Sequence, residues 1–243
     1  ITMWSRISKY ILLCLSLAMP FGANAQRDSV AAAPQKIRGV QYSPDNVASA
    51  QQKELPFLAG FSVSGNLAGA FLSLVSSYGE YEGAVRANIK GTYFPIVEIG
   101  MGVSNNTDEA TNLHYKTNSP FFRVGLDYNI LGDKISGNRV FAGGRLAYSS
   151  FKYDISGPNL KDPFWNNEVP YDFKGLSGNQ LWLELTFGVE TKIWKIFHLG
   201  WTARYKNRIS GKSASIGEPW YVPGFGKSGT TVIGGTFNLI FDI

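Results

Sequence analysis

Residues 231–243 read TVIGGTFNLIFDI, and their second half alternates in side-chain type. Phe237, Leu239, Phe241 and Ile243 fall on one parity; Asn238, Ile240 and Asp242 fall on the other. Because successive side chains of a β-strand point to opposite faces, this stretch predicts a strand with one fully apolar face. Seven further segments share the pattern, and such repetition favours a closed transmembrane β-barrel over a soluble domain.

The eight predicted strands define one domain over residues 57–243. They cover residues 58–71, 80–90, 93–105, 119–131, 139–153, 179–193, 197–210 and 229–243. We therefore predict an all-β fold, an eight-stranded antiparallel up-and-down transmembrane β-barrel. Short connections alternate with longer ones at 72–79, 106–118, 154–178 and 211–228, as in bacterial outer-membrane barrels. The alternative is a lipocalin-like soluble barrel, which would turn its apolar parity inward.

The segment before the barrel predicts export. Met3 is the expected start, Arg6 and Lys9 form a basic region, an apolar stretch follows, and the A-x-A site at 23–25 ends a signal peptide of residues 1–25. A membrane anchor is the alternative, but ten apolar residues rise only about 15 Å as a helix. Residues 26–56 are polar and predict a flexible periplasmic tail.

Composition narrows the function class. Cys14, the only cysteine, lies in the leader, so we expect a mature chain without disulfides or a lipid anchor. Loss of two leader bases lowers the formal net charge from +5 to +3, and the scattered basic residues do not predict nucleic-acid binding. Mean hydropathy is −0.08, which does not argue against a barrel, because alternation hides a membrane face in the average. We expect an outer-membrane location with both termini periplasmic, in contact with outer-membrane lipids and lipopolysaccharide.

The polar parity predicts a charged interior. Its members are six acids and six bases: Glu82, Glu98, Asp127, Glu184, Glu190 and Asp242 with Arg86, Arg123, Arg145, Arg204, Lys206 and Arg208. An eight-stranded barrel is just wide enough for side chains to fill it, and buried charges must be paired. A structural ion-pair network is the main interpretation; a conducting or proton-relaying lumen is the alternative.

Catalytic, metal and cofactor sites are not predicted. His114 lies in an outer loop near Asp108 and Glu109, whereas His198 lies at the periplasmic end of the seventh strand. The spacing matches no known catalytic arrangement, and two histidines at opposite rims cannot share a metal ion. No phosphate-binding loop, HExxH or CxxC motif occurs in the sequence.

Two features suggest protein partners. The outer loops carry aromatic residues beside prolines, which could be rigid anchors: Phe164, Trp165, Trp220, Tyr221 and Phe225. The alternative is that these loops cap the barrel. Small residues also occupy the lipid-facing parity of the eighth, first and second strands: Gly65, Gly69, Gly83, Ala87 and Gly235. They could let another membrane protein approach closely, or they could relieve barrel curvature.

The stretch YFPIVEIG at 93–100, preceded by RANIK at 86–90, resembles an uncharacterised family of small eight-stranded outer-membrane barrels from Bacteroidota. The resemblance implies a non-enzymatic structural or accessory subunit of an outer-membrane complex, for example the barrel-assembly machinery, with another outer-membrane protein or a surface lipoprotein as partner. It transfers no catalytic residue and no cofactor. A free-standing narrow channel or surface-binding barrel and a lipid-modifying enzyme are the alternatives.

Overall fold

The computed structural model describes residues 55–131, 137–161, 167–215 and 217–243. The predicted signal peptide and residues 26–54 of the predicted tail lie outside them. The elements are β1 Leu58–Asn66, α1 Leu67–Val75, β2 Tyr78–Ile89, β3 Tyr93–Thr107, β4 His114–Asn129, β5 Arg139–Lys161, β6 Glu168–Trp194, β7 Phe197–Lys212, β8 Tyr221–Val222, β9 Gly226–Lys227 and β10 Thr231–Asp242.

Eight of the strands form a closed antiparallel barrel. β1 to β7 pair in sequence order, β10 pairs with β7, and β10 also pairs with β1, for example Val63 with Phe241. β8 and β9 form a separate two-stranded hairpin. The predicted all-β architecture with eight antiparallel strands is therefore confirmed.

The side chains of the barrel alternate between an apolar exterior and a polar interior. On β4, Phe122 and Val124 are 53% and 57% exposed, whereas Arg123 between them is 1% exposed. The same alternation recurs on the other long strands. A lipocalin-like barrel, with its apolar parity inward, is thus not what the described strands form.

The barrel has two different ends. The turn end holds the connections at 90–92 and 195–196, together with the first described strand residue, Leu58, and the last residue, Ile243. The loop end holds α1 and the connections at 108–113 and 213–220. Among the described residues, no helix is long and apolar enough to cross a membrane.

The prediction of one strand over 58–71 is wrong beyond Asn66. There the chain turns into α1, and the Asn66 side chain accepts a hydrogen bond from the Gly69 backbone N–H at 3.1 Å, as helix N-caps do. The alternating pair Leu67 and Phe71 is also spaced four residues apart, so it fits one face of a helix equally well. Both side chains are exposed on α1.

α1 occupies a place in the wall where a strand is missing. β1 ends at Asn66, so residues 78–82 of β2 and 231–237 of β10 have no strand between them. One missing strand separates its neighbours by about 10 Å, which is close to the diameter of a helix with its side chains. α1 contacts both β2 and β10. The helix therefore takes the place of a continuation of β1 towards the loop end.

The predicted loop over 154–178 is also largely wrong. β5 and β6 continue as a paired hairpin, with Lys161 opposite Glu168 and irregularities in register near Asp154 and Gly157. The connection between the two strands is therefore limited to residues 162–167, of which 162–166 lie outside the described part of the chain.

Candidate functional site

The barrel interior is built around the carboxylate of Glu98. It accepts from Arg145 Nε at 2.6 Å, from Arg204 Nη1 at 2.8 Å and from Arg123 Nη1 at 3.2 Å. The four side chains come from four different strands and are each 0–3% exposed. Burial of so many charges is tolerable because every one is paired and hydrogen-bonded.

Towards the loop end, two more carboxylates join the same guanidinium groups. Arg123 contacts Glu184 at 2.9 Å and Glu82 at 2.5 Å, and Arg204 contacts Glu82 at 2.7 Å. The indole N–H of Trp182 also donates to Glu184 at 2.7 Å. These contacts tie β2, β4, β6 and β7 together across the lumen.

Towards the turn end, the pattern repeats with other partners. Arg86 holds Glu190 through two hydrogen bonds of 2.6 and 2.8 Å. Arg139 contacts Glu190 at 3.3 Å and Asp242 at 2.6 Å. The paired carboxylate–guanidinium geometry of Arg86 is the strongest form of such contacts.

The structure brings most of the predicted network together. Ten of the twelve residues make ion pairs within 4.0 Å: Glu82, Arg86, Glu98, Arg123, Asp127, Arg145, Glu184, Glu190, Arg204 and Asp242. Lys206 is buried but bonds a backbone carbonyl, at Gly224. Arg208 lies opposite the buried Trp182 and so keeps the inward parity, but it is exposed and makes no ion pair within 4.0 Å among the described residues. The prediction of Arg208 as a member of the buried ion-pair network is wrong.

Among the described residues, the interior also holds acidic and basic side chains that were not predicted: Arg139, Glu80 and His198. Arg139 shares the parity of Arg145, and Glu80 shares that of Glu82, so the alternation already contained the signal. Glu80 lies 3.5 Å from Arg123. His198 has the parity of Arg204, and its Nε2 lies 3.2 Å from Asp242.

The loop before β10 folds into the barrel as a plug hairpin, residues 220–228. Tyr221 and Phe225 are 1% and 0% exposed, and Trp220 is half-buried. They are therefore not exposed anchors for a partner, and the loop follows the alternative in which it caps the barrel. Phe164 and Trp165, the other predicted anchors, lie outside the described residues.

The tip of the plug hairpin completes the ion-pair network. The carbonyl oxygen of Gly224 accepts from Arg123 Nη2 at 2.7 Å and from Lys206 Nζ at 2.6 Å. Gly224 has a φ of +80°, which favours glycine, and a Cβ there would clash with the ring of Phe121. The ring of Phe225 packs edge-on against Trp182, with centroids 5.6 Å apart.

Tyr221 links the plug hairpin to the barrel wall through two hydrogen bonds. Its hydroxyl donates to the Glu80 carboxylate at 3.2 Å, and its own carbonyl accepts from the Tyr115 hydroxyl at 2.6 Å. Burial, together with the nearby negative charge of Glu80, raises the pKa of the Tyr221 phenol well above its usual range. The phenol therefore stays protonated and keeps donating its hydrogen bond.

The histidines are placed far apart, as the predicted topology required. The Nδ1 atom of His114 lies 2.9 Å from the Thr107 hydroxyl at the loop end, and His198 lies at the turn end. Asp108 accepts hydrogen bonds from the backbone of its own turn. Among the described residues, no group of three or more His, Cys, Asp and Glu side chains could hold a metal ion.

The predicted small-residue patch is only partly assembled. Gly65 and Gly83 are directly paired on β1 and β2, and Ala87 lies two outward positions further along β2. Gly235 lies on β10 beside the gap that α1 occupies. Gly69 does not belong to the patch: it is buried in α1, and a Cβ there would clash with the Glu80 carbonyl oxygen.

Comparison with known proteins identifies a family but no function. The family described as "Domain of unknown function (DUF6048)" matches residues 6–243 of this chain. No curated protein and no solved structure matches the chain.

Removal of one arginine from the network should unfold the barrel more easily. In Arg145→Ala, Glu98 and Asp127 lose contacts of 2.6 and 3.0 Å in a buried site, and we expect a loss of about 3–5 kcal/mol in unfolding free energy. Arg208→Ala is the matched control, since Arg208 is exposed and should cost under about 0.5 kcal/mol. Denaturant unfolding of the purified variants measures both; equal losses would contradict a stabilising network.

Proposed function

We propose that this chain, which belongs to the DUF6048 family, is a non-enzymatic β-barrel of the bacterial outer membrane that serves as a structural or accessory subunit of a membrane protein complex. The observation that carries the proposal is the polarity of the barrel: its interior consists of paired charges and its exterior of exposed apolar side chains. The sequence resemblance extends the proposal to Bacteroidota and, as one example of such a complex, to the barrel-assembly machinery.

The exterior supports the membrane part of the proposal. Outward side chains such as Val97, Leu185 and Phe187 are 49–58% exposed, and they recur around the ring. Soluble monomers rarely expose contiguous apolar surface of this extent. Exposed aromatic residues also lie near the turn end, including Tyr93 paired with Tyr128 and Trp194 stacked near Phe197. Aromatic side chains are enriched where a membrane meets water.

The interior supports a structural role over transport. Glu98 and its three arginines occupy the middle of the lumen, and the plug hairpin fills the space towards the loop end. Moving a solute through the barrel would require the separation of several buried ion pairs, each of which is costly to leave unpaired. The barrel is therefore suited to act through its outer surface.

The outer surface supports a protein partner at one place. Gly65 and Gly83 lie side by side and face outward, next to the exposed apolar residues of α1. Small residues allow the backbones of two membrane proteins to approach closely. A Cβ on Gly65 or Gly83 would lie 4.0 or 3.8 Å from its nearest backbone atom, so internal packing does not require glycine there.

The membrane location predicts labelling from opposite sides. Single cysteines at Glu109 at the loop end and Lys195 at the turn end should differ on intact cells, because Cys14 in the leader is the only native cysteine. An impermeant maleimide should label the first position and label the second only after the outer membrane is opened. Labelling of both positions in intact cells, or of neither, would contradict the proposed orientation.

The sealed lumen predicts an electrically silent protein. Purified barrel in planar bilayers should show no steady conductance, since the ion-pair network and the plug hairpin fill the interior. An open porin inserted into the same bilayers is the positive control. Stable, ion-selective openings of the wild-type protein would overturn the structural role in favour of a channel.

The patch predicts a specific interface. Gly65→Leu with Gly83→Leu should leave folding intact and release a stoichiometric membrane partner, because overpacking an interface costs about 1–3 kcal/mol per site. Ala142→Leu with Gly144→Leu, on the outward face of β5, is the matched control and should retain the partner. Copurification in mild detergent measures the difference. If the wild-type protein purifies without a partner, the subunit role is contradicted. If the patch variant retains its partner, the Gly65–Gly83 surface is not the interface, but the subunit role still stands.

A further inference from the structure

The outward wall formed by β4 to β7 has a layered composition near the loop end. Outward side chains pass from an apolar layer to an uncharged polar layer and then to lysines. The apolar layer contains Phe122, Tyr148 and Leu183; the polar layer contains Asn118, Ser150 and Asn179; the lysine belt consists of Lys116, Lys152 and Lys212. Each of these nine residues is exposed.

The strand register places the lysine belt beside the polar layer. Lys212 is opposite Asn179, and Lys152 is opposite Ser177, so each has a neutral hydrogen-bonding residue as its partner on β6. None of the three lysines makes an ion pair within 4.0 Å among the described residues. One carboxylate lies in the belt: Asp154 is opposite Lys116 and two residues from Lys152 on the same face, and its Oδ1 atom accepts a hydrogen bond from Gly175 N at 2.7 Å. The three lysines outnumber this single carboxylate.

The order and spacing of the layers point to one class of ligand. Tyr148 and Lys152 are four residues apart on β5, about 13 Å along the strand. Acyl chains would lie against the apolar layer, sugar hydroxyls against the polar layer, and phosphates beside the lysine belt. A phospholipid carries its phosphate next to the glycerol, without a sugar ring between the chains and the charge.

We propose that the lysine belt binds the phosphate groups of a phosphorylated glycolipid in the outer leaflet. The inference rests on the proposed membrane location, and it assigns a ligand class to a face that the proposed partner interface does not use. The belt covers β4 to β7 only. On the opposite side, α1 presents Leu67, Phe71 and Leu74 to the exterior, which are uncharged. The glycolipid and a protein partner can therefore bind to separate faces.

The test compares two triple variants with the same change in charge. Lys116, Lys152 and Lys212 are changed together to Gln in the belt variant; Lys90, Lys192 and Lys195, exposed at the turn end, are changed to Gln in the control. Native mass spectrometry of the full chain in detergent measures binding of a phosphorylated disaccharide glycolipid, the same glycolipid without phosphate, and phosphatidylglycerol.

The wild type and the control should bind the phosphorylated glycolipid most tightly. Loss of roughly fivefold per lysine predicts about a hundredfold weaker binding by the belt variant. Equal binding by the belt variant, equal binding of the glycolipid without phosphate, or equal binding of phosphatidylglycerol would overturn the proposal. Cell-surface labelling separates the proposed membrane location from the proposed glycolipid binding. A chain absent from the outer membrane would overturn the membrane location. A belt variant that is exposed at the cell surface and binds the glycolipid normally would overturn only the role of the lysine belt.

Discussion

The pairing of charges inside a closed ring is the constraint on which the rest of the structure depends. Glu98 alone receives three guanidinium groups from three other strands, all within 3.2 Å. An unpaired charge in this environment would cost several kcal/mol. The strands must therefore keep a register that brings acids and bases to the same level, and the same register turns the opposite parity, which is apolar, to the outside.

The plug hairpin is hydrogen-bonded to two side chains of the interior, Arg123 and Lys206. Arg123 pairs with four carboxylates, Lys206 makes no ion pair within 4.0 Å among the described residues, and the carbonyl oxygen of Gly224 receives one hydrogen bond from each. The ring of Phe225 in turn packs edge-on against Trp182, and the carbonyl oxygen of Tyr221 accepts a hydrogen bond from the Tyr115 hydroxyl. The same hairpin therefore makes polar contacts with the charged interior and contributes Tyr221, Val222 and Phe225 to the buried apolar cluster that contains Trp182.

The wall of the barrel is not uniform, and its differences indicate where other molecules could bind. On one side α1 takes the place of a continuation of β1 towards the loop end, and paired glycines lie next to it. On the other side, β4 to β7 rise through apolar, polar and lysine layers. In our proposal the protein acts through these two faces, with one packing closely against protein and the other binding anionic lipid.

Much of this could be read from the sequence, because alternation with period two is a local property of strands. It determined the eight strands, the inward and outward sets, and ten of the ion-paired residues; Arg139 and Glu80 follow from the same parity. The tertiary structure alone decided the rest. Leu67 and Phe71 fit a strand or a helix by spacing, and only the gap between β2 and β10 selects the helix. Arg208 has the inward parity and lies opposite Trp182, but near the loop end of β7 it is exposed and makes no ion pair among the described residues. For the aromatic loop that holds Tyr221 and Phe225, the sequence allowed exposed anchors or a cap. The structure selects the cap: both side chains are buried, and Arg123 and Lys206 donate to the carbonyl oxygen of Gly224 at the tip of the hairpin. These donors lie on other strands, so a local pattern cannot reveal the contact.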